Sequence, residues 1–135
     1  MKKTEKKEKR DNYLNELVNN CMPFWSKNGP DKVNGAFFNY LDKKGNVYCK
    51  DKPVWVIGRF GWLNSLLFNE IDSNEKWLEA GKSCIQFLEK YCFDDDGRMF
   101  FEVTADGKPL RKRRYLFTET FAVIAFAEYS KAVDD

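Results

Sequence analysis

Two of the four helical segments that the sequence predicts are apolar on nearly every side, and this feature constrains the fold most. The second segment, VWVIGRFGWLNSLLFNEI, and the fourth, YLFTETFAVIAFAEY, carry few charges. The first and third segments each have a charged face opposite an apolar one. A helix without a polar face must be covered all round. The alternation therefore predicts two layers, with segments one and three outside and segments two and four inside.

The predicted helices have recognisable starts. The first runs from about Thr4 to Asn20, and the second from Pro53, a residue suited to a first helical turn, to about Ile71. The third opens at Ser73, with apolar residues at spacings of three and four, and the fourth spans about Leu116 to Val133.

The connections between outer and inner segments repeat. Each contains two short β-type runs around a turn, Lys44-Gly45-Asn46 in the first and Asp106-Gly107 in the second. The matched residues, each pair 62 positions apart, are Gly35 with Gly97, Phe37 with Met99, Phe38 with Phe100, and Gly45 with Gly107. Such a repeat predicts an array of outer helix, hairpin and inner helix units, with function where the long loops gather.

Two such units cannot close a ring, so the inner helices would keep an uncovered flank. Each large side chain left unburied forfeits about 1.5–3 kcal/mol. We therefore expect self-association or a missing C-terminal portion. A compact four-helix bundle is the alternative interpretation.

Composition excludes several classes of function. The net charge of +2 gives no overall signal for nucleic acid, and the chain has no histidine and no CxxC pair among its four cysteines, so we expect no metal and no cofactor. A secretory signal and a bilayer-spanning stretch are not found in the sequence, which predicts a cytoplasmic protein without a membrane partner.

Two stretches resemble a known family. GAFFNYLDKKGNVYCKDKPVWVIGRFGW and DDDGRMFFEVTADGKPLRKRRYLFTETFAVIAFAEY are similar to the N-terminal third of the N-acylglucosamine 2-epimerase (renin-binding protein) family. The resemblance implies an all-α partial (α/α)6 barrel, an α/α toroid. Residues 1–135 would be a single fragment of it: two outer/inner helix pairs with short β-hairpin connections.

The resemblance also implies a chemistry. Family members invert the C2 centre of a ring-opened sugar, such as N-acetylglucosamine or N-acetylmannosamine, by removing the C2 proton and returning one to the other face. Histidines suit such acid–base work near neutral pH. The family's histidines lie in later parts of the barrel, and this chain has none. The isolated chain is therefore expected to be inactive, and a non-catalytic carbohydrate-binding or protein-interaction fragment is the alternative.

Arg59 is the residue that the resemblance assigns to the site. A guanidinium can hold the sugar's carbonyl oxygen or the developing enediolate. Independently, a lone charge in an apolar inner helix needs a partner or a wet cavity, and a salt bridge with Glu119 is the structural alternative. The other candidates for contact with a small-molecule sugar are Trp55, Phe117, Glu119, Tyr115 and Phe38.

Overall fold

The computed structural model describes residues 3–113 and 115–134. For Lys3 and Tyr115 it describes the backbone alone. The helices in this part of the chain are α1 (Lys3–Glu16), α2 (Met22–Asn28), α3 (Val54–Glu70), α4 (Glu75–Tyr91) and α5 (Tyr115–Val133). The strands are β1 (Tyr40–Leu41), β2 (Val47–Cys49), β3 (Lys52–Pro53), β4 (Glu102–Val103) and β5 (Pro109–Arg111).

The first predicted helix is longer than expected and is interrupted. A π-helical turn, Leu17–Cys21, joins α1 to α2, so the helical segment continues to Asn28 instead of ending at Asn20. Pro23 lies in the first turn of α2 and has no N–H to donate to the preceding turn. The wide turn just before Pro23 is the local rearrangement that lets the helix continue past it.

The other helix predictions are confirmed to within two residues. Pro53, in an extended conformation, precedes α3. Asn74, rather than Ser73, caps α4, because its side chain accepts a hydrogen bond from the backbone N–H of Lys76. The last helix begins at Tyr115, one residue before the predicted start.

The predicted repeat is present in the backbone. Strands β1 and β2 pair in the first hairpin, and β4 pairs with β5 in the second. Gly35, Gly45, Gly97 and Gly107 all have positive φ angles, between 76° and 89°. These glycines form the two pairs that the sequence places 62 residues apart, so both units use the same left-handed turns.

The two units share a sheet and a core. Strand β3 of the first unit pairs antiparallel with β4 of the second. Helix α3 packs against both α4 and α5, closely enough that a Cβ atom at Gly58 would lie 2.9 Å from backbone atoms of Phe121. For these three helices the predicted two-layer order is therefore confirmed, with α3 and α5 inside and α4 outside.

A buried ion pair ties the hairpin ends of the units together. The Lys52 side chain is 0% exposed, and its Nζ lies 2.8 Å from Asp31 Oδ2. The same ammonium donates to the carbonyl oxygens of Gly35 and Ala105, which belong to the first and second unit. The rings of Phe38 and Phe87 lie 5.2 and 4.2 Å from it.

Candidate functional site

Arg59 lies on an exposed face of α3, one helical turn after Trp55. Its guanidinium carbon is 5.6 Å from the Trp55 ring and 5.7 Å from the Phe121 ring. These distances fit cation–π contact, which orients a guanidinium without neutralising its charge. Within residues 3–113 and 115–134, no carboxylate lies within ion-pair distance of Arg59.

Phe117 and Phe121 of α5 extend this surface. The ring centroids of Trp55 and Phe117 are 5.5 Å apart, and those of Trp55 and Phe121 are 5.7 Å apart. Trp55 and Phe117 occupy equivalent positions of the two units, 62 residues apart. The structure therefore brings together three of the predicted residues, Arg59, Trp55 and Phe117, as one aromatic surface bearing a positive charge.

A groove of about 250 Å³ borders this surface. Phe38 lines it, as does Asn39, whose buried Oδ1 has no hydrogen-bond partner among the described residues. The groove is otherwise lined by Cys21, Met22, Trp25, Phe37, Trp55, Val56, Ile57, Arg59, Phe60, Trp62 and Leu63. Its lining is mainly apolar, and Arg59 is the charged residue in it.

Glu119 does not pair with Arg59, so the salt bridge that was the structural alternative for Arg59 is wrong. Its two oxygens accept hydrogen bonds of 2.7 and 2.9 Å from Nε and Nη2 of Arg98. This contact, with a weaker one from the backbone N–H of Met99, holds the pKa of Glu119 below its ordinary value. The prediction missed the pairing because Arg98 lies in a loop 21 residues earlier, where side-chain direction is not set by helical spacing.

The side chain of Tyr115 lies outside the described part of the chain. Asn39 was missed as a candidate although it lies inside the GAFFNYLD stretch. The unsatisfied amide oxygen that marks it can be identified only once the groove around it is formed.

A model of the family described as N-acylglucosamine 2-epimerase (GlcNAc 2-epimerase) matches residues 35–135. The chain belongs to the N-acylglucosamine 2-epimerase family. The human N-acylglucosamine 2-epimerase is 28% identical over 126 residues, which are 90% of this chain and 30% of that protein. The cellobiose 2-epimerase of Eubacterium cellulosolvens is 29% identical over 92% of this chain and 31% of its own length.

Solved epimerase structures share the fold of this epimerase-family chain. The cellobiose 2-epimerase from Spirochaeta thermophila matches with a TM-score of 0.84 at 27% identity, over 98% of this chain and 33% of that one. A D-mannose isomerase structure, at 17% identity and a TM-score of 0.78, shows the same fold. The chain is thus a partial (α/α)6 toroid that spans about a third of the length of these relatives.

The described residues contain neither a candidate membrane span nor a candidate metal centre. No helix there is long and apolar enough to cross a membrane. In the same residues, no group of three or more His, Cys, Asp or Glu side chains is placed to hold a metal ion.

Proposed function

We propose that residues 1–135 form one part of the wall of a sugar 2-epimerase site, the N-terminal portion of an (α/α)6-barrel domain, in which Arg59 binds the substrate. The observation that carries this proposal is the state of Arg59, which is exposed beside Trp55 and Phe121 and has no carboxylate among the described residues to neutralise it. An unpaired guanidinium on an aromatic surface is suited to a partly negative oxygen of a polar ligand.

The surface around Arg59 suits a sugar. Aromatic rings offer flat apolar faces to sugar C–H groups, and Trp55 and Phe117 supply two such rings 5.5 Å apart. Phe38 and Asn39 line the adjoining groove, so an apolar ring and a side-chain amide border the same space. The ligand class is a neutral sugar with a carbonyl in its open form, such as N-acetylmannosamine, N-acetylglucosamine or a reducing disaccharide.

In the proposed reaction a base removes the proton from C2, and the C–H electron pair moves into a C1–C2 double bond as negative charge develops on O1. A proton then returns to C2 from the opposite face, and the carbonyl reforms. Arg59 would stabilise the charge on O1, since a preorganised cation acts most strongly where charge develops. The proton transfers require groups that titrate near neutral pH, and this chain contains no histidine.

A non-catalytic carbohydrate-binding role is the second candidate. The lack of histidine favours it for these 135 residues alone. Both candidates require sugar contact at Arg59, but they differ in whether the C2 proton exchanges with solvent. We propose that the purified chain binds sugar without exchanging that proton, and that it acts in the cytoplasm.

Ligand-observed NMR tests this proposal. N-acetylmannosamine, N-acetylglucosamine and cellobiose are titrated separately in D2O, and saturation transfer reports binding while loss of the C2 proton signal reports exchange. We expect weak transfer to at least one sugar, and its loss in Arg59→Met. Arg111→Met is the matched control, because Arg111 also lies over a ring, 5.1 Å from Phe101, away from the groove.

Two results would contradict the proposal. If Arg59→Met binds every sugar as well as the unmodified chain does, Arg59 is not the binding residue. If the unmodified chain exchanges the C2 proton and Arg59→Met does not, the chain has acid–base groups of its own, and the requirement for histidines is wrong.

A further inference from the structure

We propose that Ser83 of α4 is a positioning residue for the sugar site. Its hydroxyl holds the backbone of Ala36 in a left-handed conformation, and this conformation places Phe38 and Asn39 in the groove. The consequence for sugar binding rests on the proposed function. The link from Ser83 to the groove can be tested without a sugar.

Ala36 has a backbone conformation that alanine disfavours. Its φ angle is 55°, and among the described residues other than glycine only Asp134 also has a positive value. A residue with a Cβ atom is crowded in this region, which glycine enters freely. Gly35, immediately before it, is also left-handed, with φ at 89°. An alanine keeps such a conformation only where contacts from the surrounding structure hold it.

The second unit makes the equivalent turn without a left-handed alanine. Isolated antiparallel bridges close the two turns, one between Pro30 and Phe37 and the other between Phe93 and Met99. The first turn is therefore one residue longer than the second. Every residue of the second turn is described, and Gly97 alone among them has a positive φ. The strained conformation thus belongs to the first unit, whose turn leads into the groove.

Ser83 fixes the amide of Ala36. The backbone N–H of Ala36 donates to Ser83 Oγ over 2.8 Å, in a part-buried position. Ser83 lies 47 residues later, on the outer helix of the second unit, so a rigid element of one unit supplies the acceptor for a turn of the other. If this acceptor is removed, the N–H has to find another partner, which favours a change in the Ala36 backbone.

Lys52 holds the residue before Ala36. Its ammonium donates to the carbonyl oxygen of Gly35 over 2.8 Å and lies 5.2 Å from the ring of Phe38. Lys52 also forms the buried ion pair with Asp31, so its replacement would disturb more than the turn. Ser83 is therefore the contact through which the turn can be tested selectively.

The turn leads directly into the groove. Phe37, Phe38 and Asn39 follow Ala36 in the sequence, and all three line the groove. The ring of Phe37 packs on that of Phe60 in α3, with their centroids 4.2 Å apart. A change in φ at Ala36 would redirect the chain immediately before these residues. The conformation of one residue therefore sets the position of the three that follow it.

NMR spectroscopy of the 135-residue chain tests the link from Ser83 to the groove. At positive φ the amide and Cα hydrogens of a residue lie close together, so Ala36 should give a strong intraresidue NOE. A second NOE should join the rings of Phe37 and Phe60. We expect both to weaken in Ser83→Ala and to persist in Ser83→Thr, which keeps the hydroxyl. Ser26→Ala, at an exposed position of α2, is the matched control and should keep both.

Sugar binding tests the consequence. In saturation-transfer titrations with N-acetylmannosamine, N-acetylglucosamine and cellobiose, Ser83→Ala should raise the Kd of the sugars that bind by about 2- to 10-fold, the range for the loss of one hydrogen bond. Adding Ala36→Gly to Ser83→Ala should recover part of the affinity, because glycine takes the left-handed conformation without crowding. Circular dichroism confirms that each variant is folded.

Two results would overturn the proposal. Unchanged NOEs in Ser83→Ala would mean that Ser83 does not hold the turn, whatever the sugar titrations show. Weakened NOEs with an unchanged Kd would mean that the turn does not serve the sugar site. A chain that binds none of the three sugars refutes the proposed function, and with it the role of Ser83 in sugar binding, while the NOEs still decide whether Ser83 holds the turn.

Discussion

Replacing Lys52 by methionine tests the buried ion pair that joins the two units. The change keeps most of the side-chain volume but removes the ammonium that faces Asp31 at 2.8 Å. It leaves the Asp31 carboxylate, whose side chain is 3% exposed, without its cation in the interior. Breaking a buried pair from one side costs about 3–5 kcal/mol. With about 2.1 cal/mol/K of unfolding entropy per residue, this corresponds to a fall in Tm of about 10–18 °C.

Differential scanning calorimetry at a fixed chain concentration measures this fall, because self-association would make Tm depend on concentration. The control is Lys50→Met, the same substitution at an exposed position near β3, which should change the free energy of unfolding by less than about 0.5 kcal/mol. The double variant Lys52→Met/Asp31→Asn removes both charges and should be more stable than Lys52→Met alone.

Two results would refute this reasoning. A Lys52→Met protein within about 1 kcal/mol of the unmodified chain would mean that the pair contributes no more than a surface pair does. A double variant no more stable than Lys52→Met would mean that the cost arises elsewhere. The carbonyl oxygens of Gly35 and Ala105, which also accept from Lys52, would then be the source.

Three further predictions concern packing, pH and thiol reactivity. Gly58→Ala should lower the free energy of unfolding by about 1–3 kcal/mol, measured by urea denaturation, because its Cβ would lie 2.9 Å from the Phe121 backbone. Burial works to raise the pKa of Asp31, but hydrogen bonds from Lys52 and nearby backbone hold it below 3.8. The stability that Asp31 provides is therefore present above pH 3.8 and lost as the pH falls through the lower folded-state pKa, so the gap between the unmodified chain and Asp31→Asn should narrow in acid. Exposed Cys21 should react with a thiol reagent at once, whereas Cys84, buried and with a raised pKa, should react only on unfolding.

The sequence predicted the layers and the repeat because both depend on local patterns. Helices α3 and α5 were identified from their lack of a polar face, and the hairpins from Gly45 and Gly107, whose left-handed conformations glycine favours. Such signals are carried by neighbouring residues, so no tertiary contact is needed to interpret them.

The polar contacts were less predictable than the fold because the residues that form them are distant in sequence. Lys52 was not identified as important because its partners are far away in the sequence. Asp31 lies 21 residues earlier, and Ala105, whose carbonyl oxygen also accepts from Lys52, lies 53 residues later. Glu119 was one alternative as a partner for Arg59, but Arg98 reaches it from a loop. Long charged side chains choose partners by tertiary geometry, which helical spacing does not determine.

The exposure of Arg59 is compatible with a position on the inner wall. This can be seen from the residues that lie on each of the four sides of α3. Ile57 faces the core between the layers, and Gly58 faces α5. Leu63 lines the groove on the opposite flank. At 100° per residue, Trp55 and Arg59 lie on the side of α3 opposite Ile57. In a ring of helix pairs, that direction leads to the centre. A residue that faces the centre is exposed when only two helix pairs are present, and Arg59 is exposed here.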